Sequence, residues 1–383
     1  MRRVYLDHNA STPVHPDVLA AMMPFFSEQY GNPSSIHSFG REARDAVEAA
    51  REEIARFLGV SAQETVFTSG GTEADNLAVK GVAWARGTGH IITSRVEHHA
   101  VLRTCQALER AGFAVTYLGV DQHGMVDPDE VRQAIRPDTI LVTIMFANSE
   151  VGTIMPIDAI GRVTRERGIP LHVDGVQALG KIPFSLRGLG IDLLSCSSHK
   201  IYGPKGIGAL YVRKGTKMVS IQHGGDHERR RRAGTENVPA IVGFGKAIAT
   251  RARDMAEEAP RVTALRDRLW DGVRARVEDV RLNGPPTQRL PGTVNMSFRG
   301  IEAESLILAL DLKGIGASAG SACTSGSLEP SYVVTAMGVP TEWALGALRC
   351  SLGRSTTAEE IDRVLEVLPA VVERIRSLSP AAA

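Results

Sequence analysis

The sequence is short of the features that would commit a chain to an unusual environment. Its 383 residues hold four cysteines and no CxxC pair, which excludes a disulfide framework and a zinc ribbon. No apolar run approaches the ~18 residues of a membrane span. The opening residues (MRRVYLD) carry charge but no apolar stretch and no small-residue cleavage site, so no signal peptide is expected. Neither sign of charge is in excess. With 44 Lys and Arg against 43 Asp and Glu, the formal charge of +1 gives no global pull toward nucleic acid or an anionic membrane. The basic run at residues 228–232 (ERRRR) is too short for a nucleic-acid arm; it reads as a solvated loop, or one carrying arginines toward a phosphate. A cytoplasmic enzyme with its own large core is the class that survives these exclusions.

What is present is a recurring unit: a short apolar run, a polar or Gly-rich turn, then a helical pattern. The runs are residues 64–69, 90–94, 114–119, 139–147, 170–174, 191–197 and 208–212. Several show no polar alternation, which suits strands buried on both faces of a helix-covered sheet. Residues 41–58 are helical by the recurrence of Val47, Ile54 and Leu58. Strands alternating with helices predict an α/β fold with a mostly parallel sheet. The pattern changes near residue 250, where a charged helical segment (251–278) leads to new apolar runs at 293–298 and 301–310. Thr356, Thr357, Glu359 and Glu360 then cap a closing helix through Ile361, Val364 and Leu368. A large domain over residues 15–255 and a smaller one over 256–383, joined by residues 1–14, are expected.

Chemistry-bearing residues fall where those strands end. Lys200 follows a buried run and precedes a Gly-Pro-Lys-Gly turn, the setting for an amine of depressed pKa that forms Schiff bases. Residues 69–73 (SGGTE) follow another run and open a helix, whose first amides would hold an anion such as phosphate. Asp174 ends a run with Gln177 one turn on, placed to pair with a protonated pyridine nitrogen. His98, after the run ending at Ser94, would stack on a ring and shuttle protons; with His99 it makes a poor metal pair, and no metal site is expected. Cys105 and Cys196 read as small buried hydrophobes, and Cys350 as structural. Cys323 differs, because its neighbours (residues 317–327, ASAGSACTSGS) include nothing bulky enough to bury its sulfur. Arg349 could fork onto a substrate carboxylate or make an ordinary salt bridge.

Taken together these residues resemble the cysteine desulfurases of the nitrogen-fixation and housekeeping iron–sulfur type, fold-type I pyridoxal 5'-phosphate enzymes of the class-V aminotransferase family. The motifs that carry the resemblance are residues 5–13 (YLDHNASTP), 30–35 (YGNPSS), 69–73, 96–100 (VEHHA), 199–206 (HKIYGPKG), 234–237 (GTEN) and 320–331 (GSACTSGSLEPS). The resemblance implies a mixed, mostly parallel seven-stranded sheet and a smaller α+β C-terminal domain carrying a mobile Cys323 loop. It further implies that Lys200 holds the cofactor covalently, that Gly71, Thr72, Ser197 and His199 bind its phosphate, and that Thr235 reaches the phosphate across a homodimer interface. Asp174 would pair with the ring nitrogen, Gln177 with the ring oxygen, Asn148 would lie against the cofactor, and His98 would stack on it. Asn32 and Arg349 would grip the substrate carboxylate.

The implied reaction takes sulfur from L-cysteine, with Lys200 and His98 moving protons and the Cys323 thiolate attacking the substrate sulfur. L-Alanine leaves and a persulfide stays on Cys323, for a sulfur-acceptor protein such as an iron–sulfur scaffold; Cys323 is at most a transient iron–sulfur ligand. Ser198 and His99 stand where relatives often have Gly and Lys, and the tail at residues 377–383 is shorter than that of relatives that dock a scaffold. Two other readings compete: a selenocysteine lyase or aminotransferase of the same fold, which would not need a thiol at Cys323, and a catalytically idle sulfur carrier or scaffold-binding protein, which would have lost polar groups from the site.

Overall fold

The computed structural model describes residues 3–319 and 329–378. Twelve strands occur among them in chain order: β1 (Val4–Tyr5), β2 (Thr65–Thr68), β3 (His90–Ser94), β4 (Ala114–Leu118), β5 (Thr139–Thr143), β6 (Leu171–Asp174), β7 (Leu193–Ser197), β8 (Gly208–Val212), β9 (Val280–Asn283), β10 (Thr293–Phe298), β11 (Ile315–Gly316) and β12 (Ala347–Ser351). Seven of them form one sheet in the order β2-β8-β7-β6-β5-β3-β4. The pairs from β7 through β4 are parallel, and β8 runs antiparallel to both of its neighbours. Each of the seven apolar runs supplies one of these strands. The run at 139–147 is only half strand, because the chain leaves the sheet after Thr143 and Met145 and Ala147 instead line a cavity.

Burial explains the missing alternation. Every residue of β3, β7 and β8 is buried, whereas the edge strand β4 is half-buried over most of its length. Helices cover both faces. In the helix Ser38–Leu58, Ala43, Val47, Ala50, Ile54 and Leu58 turn inward at helical spacing. On the opposite face the helix Gly71–Arg86 buries Ala74, Leu77, Ala78 and Val82.

A second apolar core is built by β9, β10 and β12, ordered β12-β10-β9 and antiparallel, with the closing helix Ala358–Leu378 packed on them. Thr357 and Glu360 exchange hydrogen bonds ahead of that helix as the sequence predicts, at 3.1 and 3.3 Å. Val4 and Leu6 belong to this second core, and β1 pairs in parallel with β11.

The helix expected over 251–278 begins earlier, at Val238, and ends at Arg274. Asn237 caps it by accepting from the Ala240 amide at 3.2 Å, and Pro239 sits in its first turn, where the missing N–H costs nothing. Glycines 243 and 245 mask its start in the sequence. The helix contributes Ile241 and Phe244 to the first core and Val262 and Leu269 to the second. Among the described residues no helix is long and apolar enough to cross a membrane.

Candidate active site

The carboxyl ends of β3, β6 and β7 and the start of the helix Gly71–Arg86 converge on a cavity of about 310 Å³. Gly71, Thr72, His98, Asp174, Gln177, Ser197, His199 and Lys200 all line it, and Arg349 enters from β12 of the second core.

The helix start forms one end of the cavity. It has no side-chain cap, so its first amides point at whatever occupies that end. The close approach depends on two glycines. A Cβ at Gly71 would lie 2.7 Å from Val176 Cγ2, and one on Gly208 in β8 would lie 2.5 Å from the Cys196 carbonyl oxygen and 2.7 Å from the Gly70 carbonyl carbon. Ser197 and His199 stand at the same end, and burial holds the His199 imidazole neutral, its pKa pulled down to about 4 with further help from Lys200. Glu73 turns away. It accepts from the Ser69 amide at 2.7 Å and pairs with Arg232 at 2.8 Å, which keeps its charge out of the anion end.

Asp174 is nearly buried, and its Oδ1 accepts from the Val176 amide at 2.9 Å. Burial raises its pKa against the opposing pull of His98 and Lys200. His98 caps the helix His99–Arg110: its Nδ1 accepts from the Ala100 amide at 3.1 Å, which leaves Nε2 to carry the ring proton. Burial lowers the His98 pKa, partly offset by Asp174.

Lys200 ends the short 3-10 turn Ser198–Lys200, and its Nζ donates to the carbonyls of Asn9 at 2.6 Å and Ala10 at 2.8 Å. Tyr202, two residues on, is held at φ 68°, a left-handed conformation costly for a bulky side chain. Three contacts hold it there. Its amide donates to Thr12 Oγ1 at 2.8 Å, its hydroxyl accepts from the Arg354 amide at 2.8 Å, and Arg251 and Arg354 cover its ring. Arg349, 4% exposed, pairs with Asp7 at 2.8 Å and donates to the Ser149 carbonyl at 3.1 Å.

Three expected residues do not reach this cavity. Asn148 is buried, and its side chain is taken up by backbone: Nδ2 donates to the Val96 carbonyl, and Oδ1 accepts from the amides of Glu150 and Val151. It shapes the turn that presents Ala147 and Ser149 rather than lining the cavity itself. Asn32 is exposed and accepts from the Ser34 amide at 2.9 Å, and Thr235 is also exposed. Cys323 lies outside the described residues. Cys105, Cys196 and Cys350 are buried, as read from the sequence, and burial pushes the thiols of Cys105 and Cys350 up to about 12.

The sequence reading missed Asp75, Asn9, Glu97 and Lys181. Asp75 lines the cavity at 1% exposure, 3.6 Å from His172, and burial followed by the nearby Asp174 charge holds its pKa well above the usual carboxylate range. Its signal was its place one turn after Gly71, on the same helix face. Glu97 is fully buried, accepts from the Ser94 hydroxyl at 2.7 Å and the Met145 amide at 3.0 Å, and is pushed up to about 8 by burial.

The donor set fits pyridoxal phosphate. Open helix amides suit a phosphate, a carboxylate at a strand end suits a protonated ring nitrogen, and a lysine amine stands between them. Among the described residues no group of three or more His, Cys, Asp or Glu is placed to hold a metal ion.

Comparison with known proteins agrees with this geometry. The family model for aminotransferase class-V matches residues 4–364, so the chain belongs to that family. Within it the chain stands among the cysteine desulfurases. It is 53% identical over 381 residues to cysteine desulfurase IscS of Dictyoglomus turgidum, covering 99% of this chain and 97% of the relative. Cysteine desulfurase IscS of Methanosarcina thermophila is 55% identical, with coverage of 99% and 94%. A solved NifS-like protein superposes with a TM-score of 0.92 at 40% identity, covering 97% of this chain and all of that one. SspA, solved in complex with cysteine, gives a TM-score of 0.81 at 38% identity over 91% of this chain and 98% of its own.

Proposed function

We propose that the protein binds pyridoxal 5'-phosphate and removes the sulfur of L-cysteine, releasing L-alanine and passing the sulfur through Cys323 to an acceptor protein such as an iron–sulfur scaffold. The observation that carries this reading is the convergence of Lys200, Asp174, the uncapped helix start and Arg349 on one cavity. The bound cofactor supplies an electron sink that weakens bonds at the substrate Cα. The amides of Gly71 and Thr72, with Ser197 and His199, hold the phosphate. Asp174 would hold the ring nitrogen, Gln177 the ring oxygen, and His98 the ring face.

With the cofactor bound, Lys200 would hold and return the Cα proton, and the Nε2–H of His98 would stand as a second proton donor. Arg349 forks onto the substrate carboxylate, its guanidinium already oriented by Asp7 and Ser149. A new S–S bond forms at Cys323 as the substrate C–S bond breaks, and the bonding electron pair stays with carbon, which ends protonated as alanine.

A cytoplasmic homodimer completes the proposal, with Thr235 reaching the partner's phosphate end and Asn32 serving the substrate carboxylate. The exposure of Ile36 (87%) and Tyr30 (67%), close to Asn32 in sequence, supports a covered face there. The test is the intact mass of the purified protein after brief exposure to L-cysteine, wild type beside Cys323→Ser. One added sulfur in wild type only, removed by reductant, is expected. No added sulfur in either would leave a lyase or transaminase that does not use Cys323.

A further inference from the structure

Behind the active-site cavity lies a second, smaller one of about 40 Å³, room for at least one water molecule. Asn9 and Lys200 line both cavities and so form the wall between them. Polar side chains line the rear chamber, with His8, Lys181, Arg251 and Glu258 all contributing. Most of its lining is buried, with Glu258 among the partly exposed residues at its outer side.

Two features ask for a ligand here. His8 is 3% exposed, and neither of its ring nitrogens has a hydrogen-bond partner among the described residues. Burial and the nearby Lys181 keep that ring neutral, its pKa lowered to about 4, so it offers one donor and one acceptor. Lys181 donates to Asn9 Oδ1 at 3.0 Å and to Gln177 Oε1 at 2.6 Å, both neutral amides, which leaves one further position on its nitrogen. Arg251 is already engaged by the Gly180 carbonyl and by Glu258. Buried polar groups of this kind are ordinarily satisfied by internal water.

The connection to the chemistry runs through Asn9. Its carbonyl accepts from both Lys200 at 2.6 Å and Gln177 at 3.0 Å, and its Oδ1 accepts from Lys181. Its own amide nitrogens are fixed by Ser351, Ser149 and Thr293, so this wall is braced from the second core.

We propose that the rear chamber is a water site, held by His8 and Lys181, through which Lys200 exchanges its proton with solvent by way of Glu258 at the mouth. The proposal rests on the reading of Lys200 as the base at the substrate Cα. No oxidant or further reactant is involved: the proton passes from the Lys200 nitrogen to water and on to the Glu258 carboxylate.

The experiment has two parts. A high-resolution crystal structure of the holoenzyme should show water within hydrogen-bond distance of His8 and Lys181; a dry chamber, or an anion there such as chloride, overturns the proposal. The second part follows exchange of the Cα proton of L-alanine in D₂O by proton NMR, which does not involve Cys323. His8→Phe fills the space and removes both polar atoms, so exchange should slow on the order of tenfold. His8→Gln should recover most of that loss, with the bound-cofactor spectrum and melting temperature of both variants close to wild type. Wild-type exchange in His8→Phe, with Lys200→Arg inactive, would overturn the chamber alone. Fast exchange in Lys200→Arg would overturn the reading of Lys200 beneath it.

Discussion

The two walls of the active site carry opposite chemistry. The sheet wall supplies carboxyls: Asp75 and Asp174 line the cavity and Glu97 is buried near them, and burial raises the pKa of each. The wall built from the N-terminal segment, Gln177 and the second core supplies nitrogen donors instead: Arg349 lines the cavity, and Lys181 lies behind Asn9 with its pKa lowered by burial and by the nearby Lys200. Neighbouring buried carboxyls cannot all ionise, so position decides which one does. Asp174 alone of the three is pulled down by both His98 and Lys200 and by a backbone amide; Asp75 has the Asp174 charge against it, and Glu97 is dominated by burial. Asp174 is therefore the carboxyl best placed to carry negative charge toward a ring nitrogen, while burial pushes Asp75 and Glu97 toward their protonated forms.

Substitutions rank by how much of this contrast they remove. Lys200→Ala takes away the amine at the centre, and turnover should fall by on the order of 10⁴. The cofactor's visible absorbance as a lysine adduct should vanish with it, and a normal spectrum in that variant would mean the wrong lysine has been named. Asp174→Asn removes the carboxyl best placed to face a ring nitrogen; alanine release should drop by roughly 10²–10³ with the fold intact, and a loss under tenfold would dissociate Asp174 from the ring nitrogen.

Glu97→Gln acts on stability. The Glu97 pKa is raised from 4.5 to about 8, so the folded state binds a proton that the unfolded chain has released between those pH values. The stability it contributes is complete below about pH 4.5 and lost as pH rises to about 8. Denaturant melts at pH 5 and pH 9 should show wild type losing on the order of a few kcal/mol more than Glu97→Gln over that span. Parallel curves would mean that Glu97 is ionised throughout. Asp75→Asn should matter least, because burial already pushes Asp75 toward its protonated form, which the amide imitates. Cofactor affinity and turnover should stay within about threefold of wild type, whereas a tenfold fall would make Asp75 a working anion.

The elements of the sheet were legible because their physics is local. Both faces of β3, β7 and β8 are buried, so the runs read as unbroken apolar stretches, and the groups at their ends followed from the strand–helix alternation. The second wall was not legible in the same way. Asn9 matters through a backbone carbonyl, which no side-chain pattern reports, and Lys181 and Lys200 share that residue only once the chain has folded. Asp75 sits one turn after Gly71, and only the fold shows that this turn lies over the cavity. Asn148, placed against the cofactor by the resemblance alone, bonds the backbone of the turn that shapes the rim, a role that no side-chain pattern reports.

The helix Val238–Arg274 gives the molecule a property that neither core has alone. Its first turns are part of one hydrophobic cluster and its last turns part of another, so melting either cluster strips support from a rod that the other needs. The two cores are thereby thermodynamically linked, and calorimetry should register one unfolding event with a single enthalpy rather than two separable ones. Pro260 lies inside that rod, where it removes one main-chain hydrogen bond near the junction. Filling that gap with alanine should stiffen the coupling and raise the melting temperature of both cores together.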